Sequence, residues 1–328
     1  FMKRKLFIAA VAAVALAACE EKINEQTVSA DEMVELKISI PSAVTKVSEK
    51  NEPGTPAAVH SLQVFLFDEE GNLETSDIQE KESLVLPCVP GKKKVVAIVN
   101  APELSGVTSL TSLTSMTSKL SDNTIESMVM EGSVDIEVTA NTSVTIPVSR
   151  LAAKVVLRTV INSFELLTHQ QMEFQVTAVY LVNVAGEKTY MTDDMPELWY
   201  NKMKNEEDEQ APNFICDKLT SQIIIPYNGT YTADKYYYCY PNPTTKDSSE
   251  EVWSERYTRL VVEALLGGEK LYYPITIPNV TKNTAYEISL KVTRPGSDSP
   301  DVPVSGHVAE FKIQVQDWIT GELIEEII

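Results

Sequence analysis

An all-β fold with one minor helix, organised as two tandem antiparallel β-sandwich domains, is what this chain predicts, and three observations carry the prediction. Apolar and polar residues alternate in many short runs, the period-two signature of strands with one buried face. Gly and Pro turns separate those runs, and helical spacing is confined to one segment, unlike the regular strand–helix alternation of a parallel α/β sheet. A length of 328 residues is enough for two domains with cores of their own.

The chain opens with a basic head, Lys3, Arg4 and Lys5, and an apolar stretch from Leu6 to Ala18 too short to cross a bilayer as a stable helix. It closes on Leu16, Ala17, Ala18 and Cys19, which read as a bacterial lipobox: residues 1–19 are a signal peptide and Cys19 is the lipidation site. Residues 20–32 are polar and read as a flexible tether. Val34, Leu36, Ile38 and Ile40 then alternate with polar residues and predict a first strand ended by Pro41. Residues 42–57 hold Lys46, Lys50, Pro53, Gly54 and Pro56 and predict an exposed loop open to proteases.

In the run 61–68, both Leu62, Val64, Leu66 and Phe65, Phe67 are apolar, which predicts a strand buried on two faces with a turn at 68–72. Residues 92–100 are a further apolar strand. Leu110, Leu113, Met116 and Leu120 recur at helical spacing and predict a helix packed on the sheet within 105–123, against the rival reading of a low-complexity linker. Val134, Ile136, Val138 and Val144, Ile146, Val148 predict a hairpin. From Arg150 onward strands recur near 150–159, 172–176, 222–227, 235–240, 257–266, 271–277, 285–293 and 309–318, with Gly267 and Gly268 as a tight turn and 205–210 as a solvated loop. The predicted domains are 47–149 and 150–328, preceded by a propeptide of tether and removable first strand at 20–46.

The chain carries 28 basic and 47 acidic residues. Loss of the signal removes three basic residues and no acidic one, taking the net charge from −19 to about −22 and excluding nucleic acid as a partner. Cys88, Cys216 and Cys239 remain after lipidation; they read as buried apolar residues, with a Cys216–Cys239 bridge as the alternative. No CxxC pair, HExxH, Ser/His/Asp arrangement or Gly-rich phosphate loop is present, so no catalytic residue, metal or cofactor is predicted. The aromatic run Tyr236, Tyr237, Tyr238, Cys239, Tyr240 reads as strand rather than sugar-stacking platform.

Taken in order, the lipobox, VELKISIP after a polar tether, SLQVFLFD, PGKKKVVAIVNAPEL, SRLAAKVVLRTV, LYYPITIP, NTAYEISLKVTRPGSDSPDVPV and AEFKIQVQDWITG resemble the FimA-type fimbrillins of Bacteroidales, the major shaft subunits of type V pili. The resemblance spans nearly the whole chain. It implies sandwiches of the transthyretin-like, Greek-key type. It also implies a precursor held at the outer membrane by lipid, palmitate included, on Cys19, then an extracellular fimbrium for adhesion. A protease cuts after the first strand, and the strand leaves. A C-terminal strand of another copy then fills the vacancy by β-strand addition. Mapped onto this chain, the removable strand is Val34, Leu36, Ile38 and Ile40, and the donor is Phe311, Ile313, Val315 and Trp318. Arginine-processed relatives carry Arg in the loop after the first strand. Here no arginine lies between Cys19 and Arg150, so Lys46, with Lys50 as second choice, implies a lysine-accepting trypsin-like protease. The partners implied are other copies of the chain, anchor and tip pilins, the outer membrane and the protease. The C-terminal strand reads as donor, against the alternative of a strand closing its own sandwich, and Leu323, Ile324, Ile327 and Ile328 form a second apolar segment. Anchor or tip subunit, and surface glycan-binding lipoprotein, are the alternative functions.

Overall fold

The computed structural model describes residues 33–41, 59–124, 127–202, 212, 215–245, 247, 253–302, 309–318 and 323–326. The signal, Cys19, Lys46, Lys50 and the 205–210 loop lie outside them.

The first half contains β1 (Val34–Ser39), β2 (Leu62–Phe67), β3 (Leu73–Gln79), β4 (Ser83–Cys88), β5 (Gly91–Val99), β6 (Thr117–Lys119), β7 (Met130–Val138), β8 (Thr142–Thr145) and β9 (Ser149–Arg150), with a short helix α1 (Leu110–Thr114). They build a five-stranded sheet in the order β3-β2-β5-β7-β9 and a three-stranded sheet in the order β4-β1-β8. Leu62, Val64 and Leu66 of β2 and Val95, Ala97 and Val99 of β5 pack with Leu36, Ile38, Leu86 and Ile146 in one core between these sheets. The alternate residues Phe65, Phe67, Val96 and Ile98 enter a second core that continues through Leu113 and Leu120 into the second half. This is why β2 is buried at all six positions. A sheet covered on both faces has no polar side to show.

The second half contains β10 (Ala153–Asn162), α2 (Leu167–Gln170), β11 (Phe174–Val182), β12 (Val184–Ala185), β13 (Glu187–Thr189), β14 (Trp199–Tyr200), β15 (Cys216–Ile224), β16 (Thr230–Cys239), β17 (Thr258–Leu266), β18 (Glu269–Ile277), β19 (Thr284–Val292), β20 (Ala309–Asp317) and β21 (Leu323–Glu326). Its sheets run β16-β10-β19-β20-β21 and β15-β11-β17-β18. The turn between β17 and β18 is made by Gly267 and Gly268 at φ +58° and +90°, a region that suits residues without a Cβ. A strand pair, β6 with β13, crosses from one half to the other.

Three expectations change, and one alternative falls away. The alternating runs at 134–138 and 144–148 are not a hairpin: β7 pairs with β5, whereas β8 pairs parallel with β1 in the opposite sheet. Alternation specifies a buried face, not the partner strand. Parallel pairing also joins β10 to β19, so the sheets are not antiparallel throughout. The helix expected across 105–123 is only α1. Ser109 caps it with Ser112, and Thr114 and Ser115 return their hydroxyls to the carbonyls of Thr111 and Ser112, local bonds that compete with a longer helix. Finally, Cys239 is a free, buried thiol, which removes the alternative of a bridge to Cys216.

Candidate strand-exchange site

β1 is the middle strand of the three-stranded sheet. Its six residues pair antiparallel with β4 from Val34↔Cys88 to Ser39↔Ser83, and Leu36 to Ser39 pair parallel with Thr142 to Thr145 of β8. Further bonds continue the seam: Ile146 N–H donates to Ser39 O at 2.9 Å, Ile40 N–H to Glu82 O at 3.0 Å, and Glu35 N–H to Asn141 Oδ1 at 2.9 Å. Leu36 and Ile38 are fully buried and Ile40 nearly so, while Glu35 and Lys37 stay in solvent. Each of those three side chains is worth about 1.5–3 kcal/mol of burial. Without β1 there would be an apolar channel between β4 and β8, two unsatisfied ladder edges, and a floor that includes Leu62, Leu86 and Ile146.

Cys88, opposite the start of β1, is fully buried in the same core. Burial first, and the nearby Glu74 charge second, push its thiol above the ordinary range. It is the one thiol in this core.

Arg150, the first arginine after Cys19, is only 4 % exposed, which keeps it from a protease in the folded chain. Its guanidinium lies over the Trp318 ring, 4.6 Å from the centroid. No sequence signal pointed to that contact, because 168 positions separate the two residues and either one alone is unremarkable in a strand.

The residues expected to be the donor lie in the second half's own sheet. β20 pairs with β19 along its whole length, from Ala309↔Val292 to Asp317↔Thr284, and with β21 on its other side. Ile313 and Trp318 are buried, and Phe311 and Val315 are half-buried against the second core. Set beside β1, the residues of β20 correspond position by position: Glu35-Leu36-Lys37-Ile38-Ser39-Ile40 against Glu310-Phe311-Lys312-Ile313-Gln314-Val315. Both strands carry apolar residues on one face and the same Glu and Lys on the other.

Tyr237, Tyr238 and Tyr240 are buried and so form no exposed platform. Among the described residues no His, Cys, Asp and Glu side chains cluster as metal ligands, and no helix is long and apolar enough to cross a membrane.

Residues 33–144 match the model of the major fimbrial subunit protein (FimA) family. This stretch is similar to the FimA-type fimbrillins over about a third of the chain. The matched stretch begins at the residue before β1 and ends within β8, so it takes in nearly all of the three-stranded sheet, β1 included. The fimbrillin-like fold extends across the chain. A proposed cell adhesion protein from Bacteroides eggerthii superposes with a TM-score of 0.65 at 17% identity, covering 90% of this chain and 98% of that one. A FimA fimbrilin from Porphyromonas gingivalis W83 gives 0.62 at 14% identity, covering 87% and 97%. The tip fimbrial protein Mfa3 from Porphyromonas gingivalis gives 0.51 at 12%, covering 87% and 100%. No curated protein matches the chain.

Proposed function

We propose that this fimbrillin is a structural subunit of an adhesive fimbrium and not an enzyme. It is exported as an outer-membrane lipoprotein with lipid on Cys19, cut after Lys46 or Lys50, and polymerised outside the cell by donor-strand exchange. One observation supports this reading above the rest: a single strand near the start of the described chain fills a slot in the first sandwich, and β20 carries the same six-residue pattern. Loss of β1 uncovers the channel and its two ladder edges, and a strand of the β20 kind from another copy satisfies both at once. Donation needs β20, with or without β21, to leave β19; the strand that closes its own sheet in the precursor becomes the donor in the fibre. The propeptide is then residues 20–46, and the two sandwiches are 47–149 and 150–328.

The test is to incubate the purified precursor with trypsin and inspect it by electron microscopy. Fibres whose subunits begin at Val47 are expected, and a chain truncated after Gly306 is expected to be cut but to give none. Normal fibres from the truncated chain would overturn the donor assignment. Retention of Cys19 and its lipid in native fibres would favour an anchor subunit instead.

A further inference from the structure

We propose that the first strand and the C-terminal strand are coupled through residues 142–152, so that β1 in its slot locks β20 in its own sheet and loss of β1 releases it. The role given to this latch in assembly rests on the donor-strand reading above; the coupling itself does not.

One short stretch of chain is held by both strands. At its start β8 is bonded along β1, and Ile146 N–H donates to Ser39 O, so its position depends on β1 being present. Ile146 and Val148 sink into the core that Leu36 and Ile38 complete. Between them the chain runs close over β7: a Cβ on Gly132 would lie 2.1 Å from Pro147 O, so the two backbones can approach only because residue 132 is glycine. β9 then pairs Met130↔Arg150 and Glu131↔Ser149.

The far end of the stretch holds β20. The Arg150 guanidinium covers one part of the Trp318 ring, and Tyr238 stacks on it with centroids 5.7 Å apart and planes 19° apart. The backbone makes a second connection, since Asn283 N–H donates to Ala152 O (3.0 Å) and Trp318 N–H donates to Asn283 O (3.1 Å). Lys282, beside Asn283, reaches back to Glu131 at 2.7 Å. Trp318 immediately follows β20, and its indole Nε1 has no hydrogen-bond partner among the described residues. The Arg150 cation and the ring must stay registered for the contact to hold, so freeing 142–148 by removing β1 loosens the grip on Trp318.

Coupling of this kind is reciprocal: if β1 steadies β20, the Arg150–Trp318 contact steadies β1 by the same factor. Hydrogen exchange on the full-length precursor tests both directions. Arg150→Met should speed exchange in 34–39 and in 309–317 at least fivefold while leaving β17 and β18 unchanged; Leu36→Ala with Ile38→Ala should do the same to 309–317. An effect of each change confined to its own strand overturns the latch. If Arg150→Met speeds exchange throughout, Arg150→Lys decides. It keeps a cation near the ring, so exchange close to wild type or a rise limited to the two strands supports the latch, and a uniform rise overturns it. Trypsin-treated wild type separates the two readings: fibres with uncoupled exchange leave strand donation standing without the latch, and coupled exchange without fibres does the reverse.

Discussion

β1 and β20 carry the same alternating pattern, yet they are held by different physics. β1 is seated by apolar burial, with Leu36 and Ile38 closing a compact core and ladders on both sides. β20 is seated by a nine-residue ladder to β19, and its end is held by an aromatic ring between a tyrosine and a guanidinium. Equivalent alternation gives two strands the same kind of buried face; what surrounds each decides which force must be overcome to move it.

The contrast can be broken hardest in the second half. Asp301 bridges the buried Arg256 and Arg259 at 2.9 and 3.2 Å, just ahead of β20. Asp301→Ala takes the carboxylate from the buried Arg256 and leaves Arg259 with Asp247 alone, and should cost about 3 kcal/mol, measured by urea denaturation, with exchange in β1 unaffected. A loss below about 1 kcal/mol would mean that the cluster behaves as a surface pair.

Ile38→Ala comes next. It should destabilise the first core by about 3 kcal/mol. Its sharpest readout is Cys88: in a Cys19→Ser, Cys216→Ser background, labelling at Cys88 should accelerate about 100-fold if opening of β1 carries the whole loss, while Cys239 stays unreactive. Equal acceleration at both thiols would show that the two cores open together.

Gly132→Ala forces a Cβ against Pro147 O, so the backbone must move, at about 1–3 kcal/mol. The added exchange should fall on 142–150, between the two strands, and a neutral outcome would show that this crossing is slack.

Alkali should separate the halves more gently. Burial pushes the Cys239 thiol from 9.0 up to about 12 and Tyr190 from 10.0 up to about 12, and it also raises Tyr238 and Tyr273. A raised folded-state value means the stabilisation is complete below the unfolded value and is lost as pH rises from about 9 toward 12. Going from pH 8 to 10, Cys239 alone should cost on the order of 1 kcal/mol, and Cys239→Ala should flatten that slope in denaturation midpoints. The smallest effect is Lys291→Ala, which removes an exposed pair between β19 and β20 and should cost about 0.3 kcal/mol.

The strands themselves were largely legible, because alternation at 34–40 and 309–315 states which face is buried whatever the partner, and the apolar run at 62–67 states that both are. Partners were not. The 134–148 segment has the look of a hairpin, but Pro147 has no N–H to give to a ladder, and the segment crosses to the opposite sheet. The helix at 105–123 was over-read because Ser and Thr hydroxyls supply competing local bonds. The slot for β1 could be placed from its own residues, whereas Arg150 on Trp318, Lys282 on Glu131 and the pair of buried arginines on Asp301 join residues dozens to more than a hundred positions apart and leave no mark on either local pattern.

What the amino-acid order determined by itself, then, is local: the alternating faces of β1 and β20, the turn glycines, the lysines after the first strand and the acidic surface. Those follow from side-chain chemistry and the two-residue period of a strand. Tertiary structure alone decided that β8 rather than β7 flanks β1 and that Trp318 rests on Arg150. Sheet pairing and ring stacking depend on which distant segments come to share a core, and no local pattern encodes that.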